Sequence, residues 1–108
     1  MFDIRYETIP SGAIAVVAQV SAKAGKEQEL RLATLPLVSQ VRNEHDNILY
    51  FLHEDHEQPG HFVFYEIFAS REAFEAHNRT EHVQSWFKLL PDLAEGGVEV
   101  MQLTILGQ

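Results

Sequence analysis

The chain has 108 residues, of which 45% are hydrophobic and 22% charged, the proportions of one ordinary globular domain and not of a disordered segment. Lys and Arg number 8 against 16 Asp and Glu, a formal net charge of -8 that repels phosphate backbones and anionic lipid surfaces, so no nucleic acid and no membrane is expected as a partner. There is no cysteine, which excludes disulfides, thiolate nucleophiles and Cys-ligated metal or iron–sulfur centres.

Residues 1–10 mix Asp3 and Glu7 with apolar residues and lack both a basic start and a continuous apolar core, so they do not read as a signal peptide. No run approaches the roughly 20 apolar residues of a membrane-spanning helix, and a cytoplasmic protein is expected. Residues 13–22 are apolar and β-branched at odd and even positions alike and end in Lys23-Ala24-Gly25, a strand followed by a turn. From Lys26 onward Leu30, Ala33, Leu37, Val38 and Val41 recur at helical steps. Pro36 lies inside that helix and removes a hydrogen bond, which predicts a kink or a second short helix. Residues 47–55 and 61–69 are aromatic and branched, and the His56-Glu57-Gln58-Pro59-Gly60 loop between them makes a hairpin. Ser70 and Thr80 each offer an N-cap hydroxyl, to a short helix ending near Arg79 and to a longer one over residues 81–95. Gly96-Gly97 is expected to stop that last helix before a final strand over residues 98–106.

The order β-α-β-β-α-(α)-β predicts an α+β, ferredoxin-like split βαβ fold: an antiparallel sheet with its helices on one face, residues 13–108 forming one domain after an extension at 1–12. The opposite face has no cover within the chain, yet the first three strands are apolar on both parities. A second copy packed face to face is therefore expected, a homodimer of the dimeric α/β-barrel kind.

Tyr50 with His53-Glu54-Asp55 at the end of its strand, Pro59 in the turn, Phe64-Tyr65-Glu66, Ser70, Ala73-Phe74, Ala76-His77 and the Thr80-x-His82 step into an aromatic helix together resemble the antibiotic biosynthesis monooxygenase (ABM) family, which includes small quinol monooxygenases. The likeness runs over about residues 13–106. It departs at Glu44-His45-Asp46-Asn47, where such domains commonly have a Glu-Pro-Gly-Cys-like turn. The resemblance implies a dimer with a cavity between sheet and helices in each subunit, and an oxygenase chemistry that often needs no metal or flavin. An electron-rich phenol or quinol, once deprotonated, reduces O₂ itself, so the protein need supply only a base and a dry pocket.

His77 is the leading candidate for that base, because imidazole titrates near working pH; the plain alternative is an exposed histidine on a short helix. Glu66, mid-strand between Phe64 and Phe68, needs a partner if buried. It either orients His77, holds a substrate hydroxyl, or pairs structurally with Arg71 or Arg79. The candidate substrate-contacting set is Phe51, His53, Phe64, Phe68, His82, Trp86 and Phe87. Within it His53 is equally at home exposed at a strand end, Trp86 and Phe87 at helical spacing are more often core although aromatic walls also hold a flat substrate, and His82 is too far along the chain from His77 to share one helical face. His53-x-x-His56 with His61 is the densest histidine cluster but fixes no ligand cage, so no metal and no other cofactor is expected. Where the haem-degrading relatives carry Asn, Trp and the axial His, this chain has Ala18, Phe68 and Phe87. The function expected is oxidation of a small aromatic quinol or phenol by O₂; an isomerase on the same scaffold and a dimeric metabolite-binding module are the alternatives.

Overall fold

In a computed structural model that describes residues 6–107, four strands pair antiparallel in the order β2-β3-β1-β4: β1 (Ile14–Ala22), β2 (Asn47–Glu54), β3 (His61–Phe68) and β4 (Ala94–Thr104). The helices α1 (Glu27–Thr34), α2 (Pro36–Arg42), α3 (Arg71–Asn78) and α4 (Glu81–Leu93) complete the split βαβ order of a ferredoxin-like α+β domain. The sheet is open, its two outer strands being β2 and β4.

Local chemistry sets the breaks. Pro36 occupies the first turn of α2, where its missing N–H costs nothing, so the expected kink is a division into two helices. The Ser70 side chain accepts from Ala73 N at 3.1 Å and caps α3, and Thr80 caps α4. Arg31 of α1 clamps the end of β2, its Nε and Nη2 donating to the two oxygens of Glu54 at 2.8 and 2.5 Å. That ion pair and a hydrogen bond from Gly60 N hold the Glu54 carboxyl down at about 2.

Gly96 and Gly97 do something other than end the last helix. α4 stops at Leu93, and β4 begins at Ala94 and runs through both glycines. Val20 pairs with Val98 but Ser21 pairs with Glu95, so the strand bulges between them, with Gly96 at φ 80° and Gly97 at φ 76°. Such angles are open to glycine and strained for other residues, so this Gly-Gly belongs to a bulge.

The register orders the sheet into rows. On the helix side lie Leu52–Phe64–Ala18–Val100 and, beside it, Tyr50–Glu66–Val16–Gln102. Val16, Val20, Leu30, Val41, Phe62 and Phe68 form the fully buried centre against the helices. On the outer face the rows are Phe51–Tyr65–Val17–Met101 and Leu49–Ile67–Ala15–Leu103. This face was expected to have no cover within the chain, but it is not wholly bare. Ile9 and Ile105 pack on Ala13, Ala15 and Ile67 and cover one end of it.

Candidate functional site

The second inner row places Glu66 mid-sheet on the helix side, and α3 lays His77 over it. His77 is packed among aromatic rings, 4.8 Å from Phe68, 5.9 Å from Phe74 and 6.3 Å from Tyr50 between centroids. One ring nitrogen, Nδ1, lies 3.0 Å from both oxygens of Glu44. A carboxylate only accepts, so the ring hydrogen is on Nδ1 and the lone pair on Nε2. Nε2 is 3.7 Å from Glu66 Oε1, beyond a hydrogen bond, and that oxygen is buried with no partner.

The electrostatics follow from burial. Desolvation, reinforced by the negative charge of Glu44, pushes the Glu66 carboxyl up to about 8, so at neutral pH it is mainly a neutral acid. Desolvation also holds His77 below the ordinary imidazole range, with Glu44 pulling the other way, so the ring is a neutral base. Burial raises the Tyr50 phenol far above its usual range and keeps it un-ionised. The site thus presents a bare imidazole nitrogen beside a protonated carboxyl, separated by a gap too long for a direct bond. A hydroxyl between them would donate to one and accept from the other.

These groups line a cleft under the helices whose empty volume, open mouth included, is about 400 Å³. Tyr50, Phe64, Glu66, His77, Trp86 and Phe87 are among its lining residues, and Val98 and Val100 of β4 close its far side. Trp86 is fixed by donating from Nε1 to Thr34 Oγ1 at 2.9 Å, and that hydroxyl donates to Leu30 O at 2.7 Å. No Lys or Arg lines the cleft, and among the described residues no group of three or more His, Asp or Glu is arranged to hold a metal.

The structure therefore brings together His77, Glu66, Phe64, Trp86 and Phe87. Phe68 backs the His77 ring from the core and does not line the cleft. Phe51 and His53 lie on the opposite face of the sheet: Tyr50 pairs with Glu66, so it is the even positions of β2 that share the cleft side. His53 instead bonds Val63 O through Nδ1 at 2.9 Å. His82 lines a separate groove outside the cleft, yet its Nε2 is 2.6 Å from the same Glu44. It is Glu44, and not Glu66, that lies within hydrogen-bond distance of the His77 ring. Sequence reasoning passed over Glu44 because it lies in a turn, and over Tyr50 as a site residue because only its pairing with Glu66 puts it on the cleft side.

The family model for antibiotic biosynthesis monooxygenase matches residues 13–89. The chain belongs to that family. The crystal structure of PA3566 from Pseudomonas aeruginosa superposes with a TM-score of 0.84 at 27% identity, covering 90% of this chain and 97% of that one. A crystal structure described as an antibiotic biosynthesis monooxygenase gives 0.81 at 28% identity, covering 86% and 98%. The protein sll1783 of Synechocystis is 25% identical over 87 residues, 81% of this chain, which spans only 59% of that protein.

Proposed function

We propose that this protein is a cofactor-independent monooxygenase that oxidises a small aromatic quinol or phenol with O₂. One observation carries the reading: a buried, neutral His77 whose Nδ1–H is held by Glu44, leaving Nε2 bare toward a protonated Glu66 on an aromatic cleft. The substrate hydroxyl donates to His77 Nε2 and accepts from the Glu66 O–H. His77 takes the hydroxyl proton, and the resulting imidazolium is stabilised by the Glu44 carboxylate. The electron-rich anion then reduces O₂. A quinol supplies all the electrons the reaction needs, two in becoming a quinone and two in gaining a hydroxyl at a ring carbon, while O₂ ends as that hydroxyl oxygen and one water. The apolar wall admits O₂ and excludes water from the anion.

The charge balance of the site refines the substrate. With the Glu44 carboxylate behind His77 and no Lys or Arg lining it, the cleft favours a neutral phenol over a carboxylated or phosphorylated one. We further propose that the working form is a homodimer joined through the outer sheet face, acting in the cytoplasm. The deciding experiment is O₂ uptake by purified, chelator-dialysed protein with a panel of benzo- and naphthoquinols and phenols. Uptake coupled to hydroxyquinone formation without added flavin, nicotinamide or metal is expected. Uptake that requires one of these, or none with any quinol or phenol, sinks the reading. Hydrogen–deuterium exchange at a substrate carbon without O₂ uptake would favour an isomerase.

A further inference from the structure

We propose that His82 is a positioning residue of this site: from outside the cleft it holds the Glu44 carboxylate in place, and Glu44 in turn keeps the His77 proton on Nδ1 and leaves Nε2 bare. The inference rests on the reading of His77 as the base and adds to it a residue that never reaches the substrate.

Glu44 belongs to the turn between α2 and β2, its backbone tied to Val41 O at 2.9 Å and to Asn47 N at 3.2 Å, but its side chain reaches out of that turn and is 15% exposed. A single bond to His77 would leave a flexible carboxylate free to swing into water. The bond from His82 Nε2 to Glu44 Oε2, at 2.6 Å, is the second anchor. The two histidines lie on different helices, and one hydroxyl fixes the corner between them. Thr80 Oγ1 donates to His77 O at 2.7 Å and accepts from Val83 N at 3.4 Å, tying the end of α3 to the start of α4. The corner turns both imidazoles toward one carboxylate, an arrangement a continuous helix could not give.

His82 faces a different compartment from His77. Its side chain is 22% exposed against 7% for His77. With Gln40, Glu81 and Ser85 it lines an outer groove of about 800 Å³, open side included, and Trp86 and Leu37 line both groove and cleft and so form the wall between them. The charged and titratable groups around this pair are His77 on α3, Glu66 on β3, Tyr50 on β2 and Glu81 on α4. Neutral or protonated, His82 keeps an N–H on Glu44, so the carboxylate stays placed. Protonated, it also offsets the negative charge that favours a His77 imidazolium, and so makes His77 the weaker base.

Ring-nitrogen NMR on the full chain tests this without any substrate. In the wild type, His77 is expected in the Nδ1–H tautomer with a slowly exchanging ring proton. In His82→Leu the tautomers should mix, the proton should exchange fast, and kcat on any substrate found by O₂ uptake should fall about tenfold. His82→Gln keeps a comparable N–H donor that cannot titrate, and should restore both tautomer and kcat while removing the dependence of the His77 titration on His82. Should the leucine variant not fold, His82→Asn, too short to reach Glu44, serves in its place. An unchanged His77 tautomer and exchange rate in His82→Leu or His82→Asn overturns the proposal. Loss of the tautomer in a protein that oxidises no quinol or phenol would overturn the monooxygenase reading and leave His82 as the positioner.

Discussion

At the scale of single residues, two carboxylates near one imidazole take opposite states because their surroundings differ. Glu44, bonded to two imidazoles at a partly wet turn, accepts hydrogen bonds; Glu66, mid-sheet with Oε1 unpartnered, keeps its proton up to about 8. A neutral acid buried at a cost in stability marks a functional site more than a structural one. The sign of that cost is testable. Because the folded-state pKa lies above the ordinary carboxyl value, Glu66 leaves stability untouched below about pH 4.5 and lowers it as pH rises toward 8; at about 1.4 kcal/mol per pKa unit the whole effect is several kcal/mol. Glu66→Gln should therefore melt well above the wild type at pH 8.5 and close to it at pH 4.5, by calorimetry or circular dichroism; equal melting differences at both pH values would show that Glu66 is ionised in the fold. His77 sits among Phe68, Phe74 and Tyr50, so an alanine there would leave a cavity as well as remove a base. His77→Gln is the cleaner change and should lower kcat about 10²-fold or more. The acidic limb of the wild-type rate profile should lie below the ordinary histidine pKa, since burial lowers it, and should vanish in the variant. An unchanged rate and profile in His77→Gln would refute its role as base.

At the scale of elements, what the sequence made legible was what local chemistry decides. Pro36 announced the division between α1 and α2, Ser70 and Thr80 announced the starts of α3 and α4, and the turn at Pro59-Gly60 announced the hairpin. What stayed hidden depends on partners distant in the chain. Two glycines after a helix read as its end, and only the pairing of β4 with β1 turns them into a bulge between Val98 and Glu95. Phe51 and Tyr50 are both aromatic neighbours on one strand, and nothing local says which faces the helices; the register with Glu66 decides it. Glu44 was invisible for the same reason, since His77 and His82 approach it from helices more than thirty residues away. The bulge gives its own prediction. Gly97 has φ 76° and open space where a Cβ would stand, which leaves backbone strain as the sole penalty for a side chain. Gly97→Ala should therefore cost about 1–2 kcal/mol, several degrees of melting temperature for a domain this size. A melting temperature equal to the wild type would mean that the bulge relaxes freely.

At the scale of the molecule, the two faces of one sheet have different fates, and the difference argues for a partner. The helix face is covered by α1 to α4 over β1 to β3, with Val100 of β4 left 52% exposed, while on the outer face Phe51, Tyr65, Met101 and Leu103 remain 44%, 39%, 58% and 38% exposed. They lie in two adjoining rows that cross all four strands, bordered by a polar row of His53, Gln19 and Glu99 with Val63, so the apolar area is one continuous band and not scattered singles. Ile9 and Ile105 cover only its end at Ala15 and Ile67. A band of this kind, with a polar rim and on a chain whose net charge of -8 otherwise keeps copies apart, fits a self-complementary surface closed by a two-fold axis. The wild type should therefore sediment as a dimer at micromolar concentration, with a buried area above about 1,200 Å² in its crystal form. Met101→Asp places a charge at the band's most exposed position, where the subunit's own core loses little, and in a dimer would bury two like charges near one axis. It should halve the sedimenting mass while leaving the circular dichroism of the subunit unchanged. A wild type that sediments as a soluble monomer at that concentration would show that the band is covered by something other than a second copy.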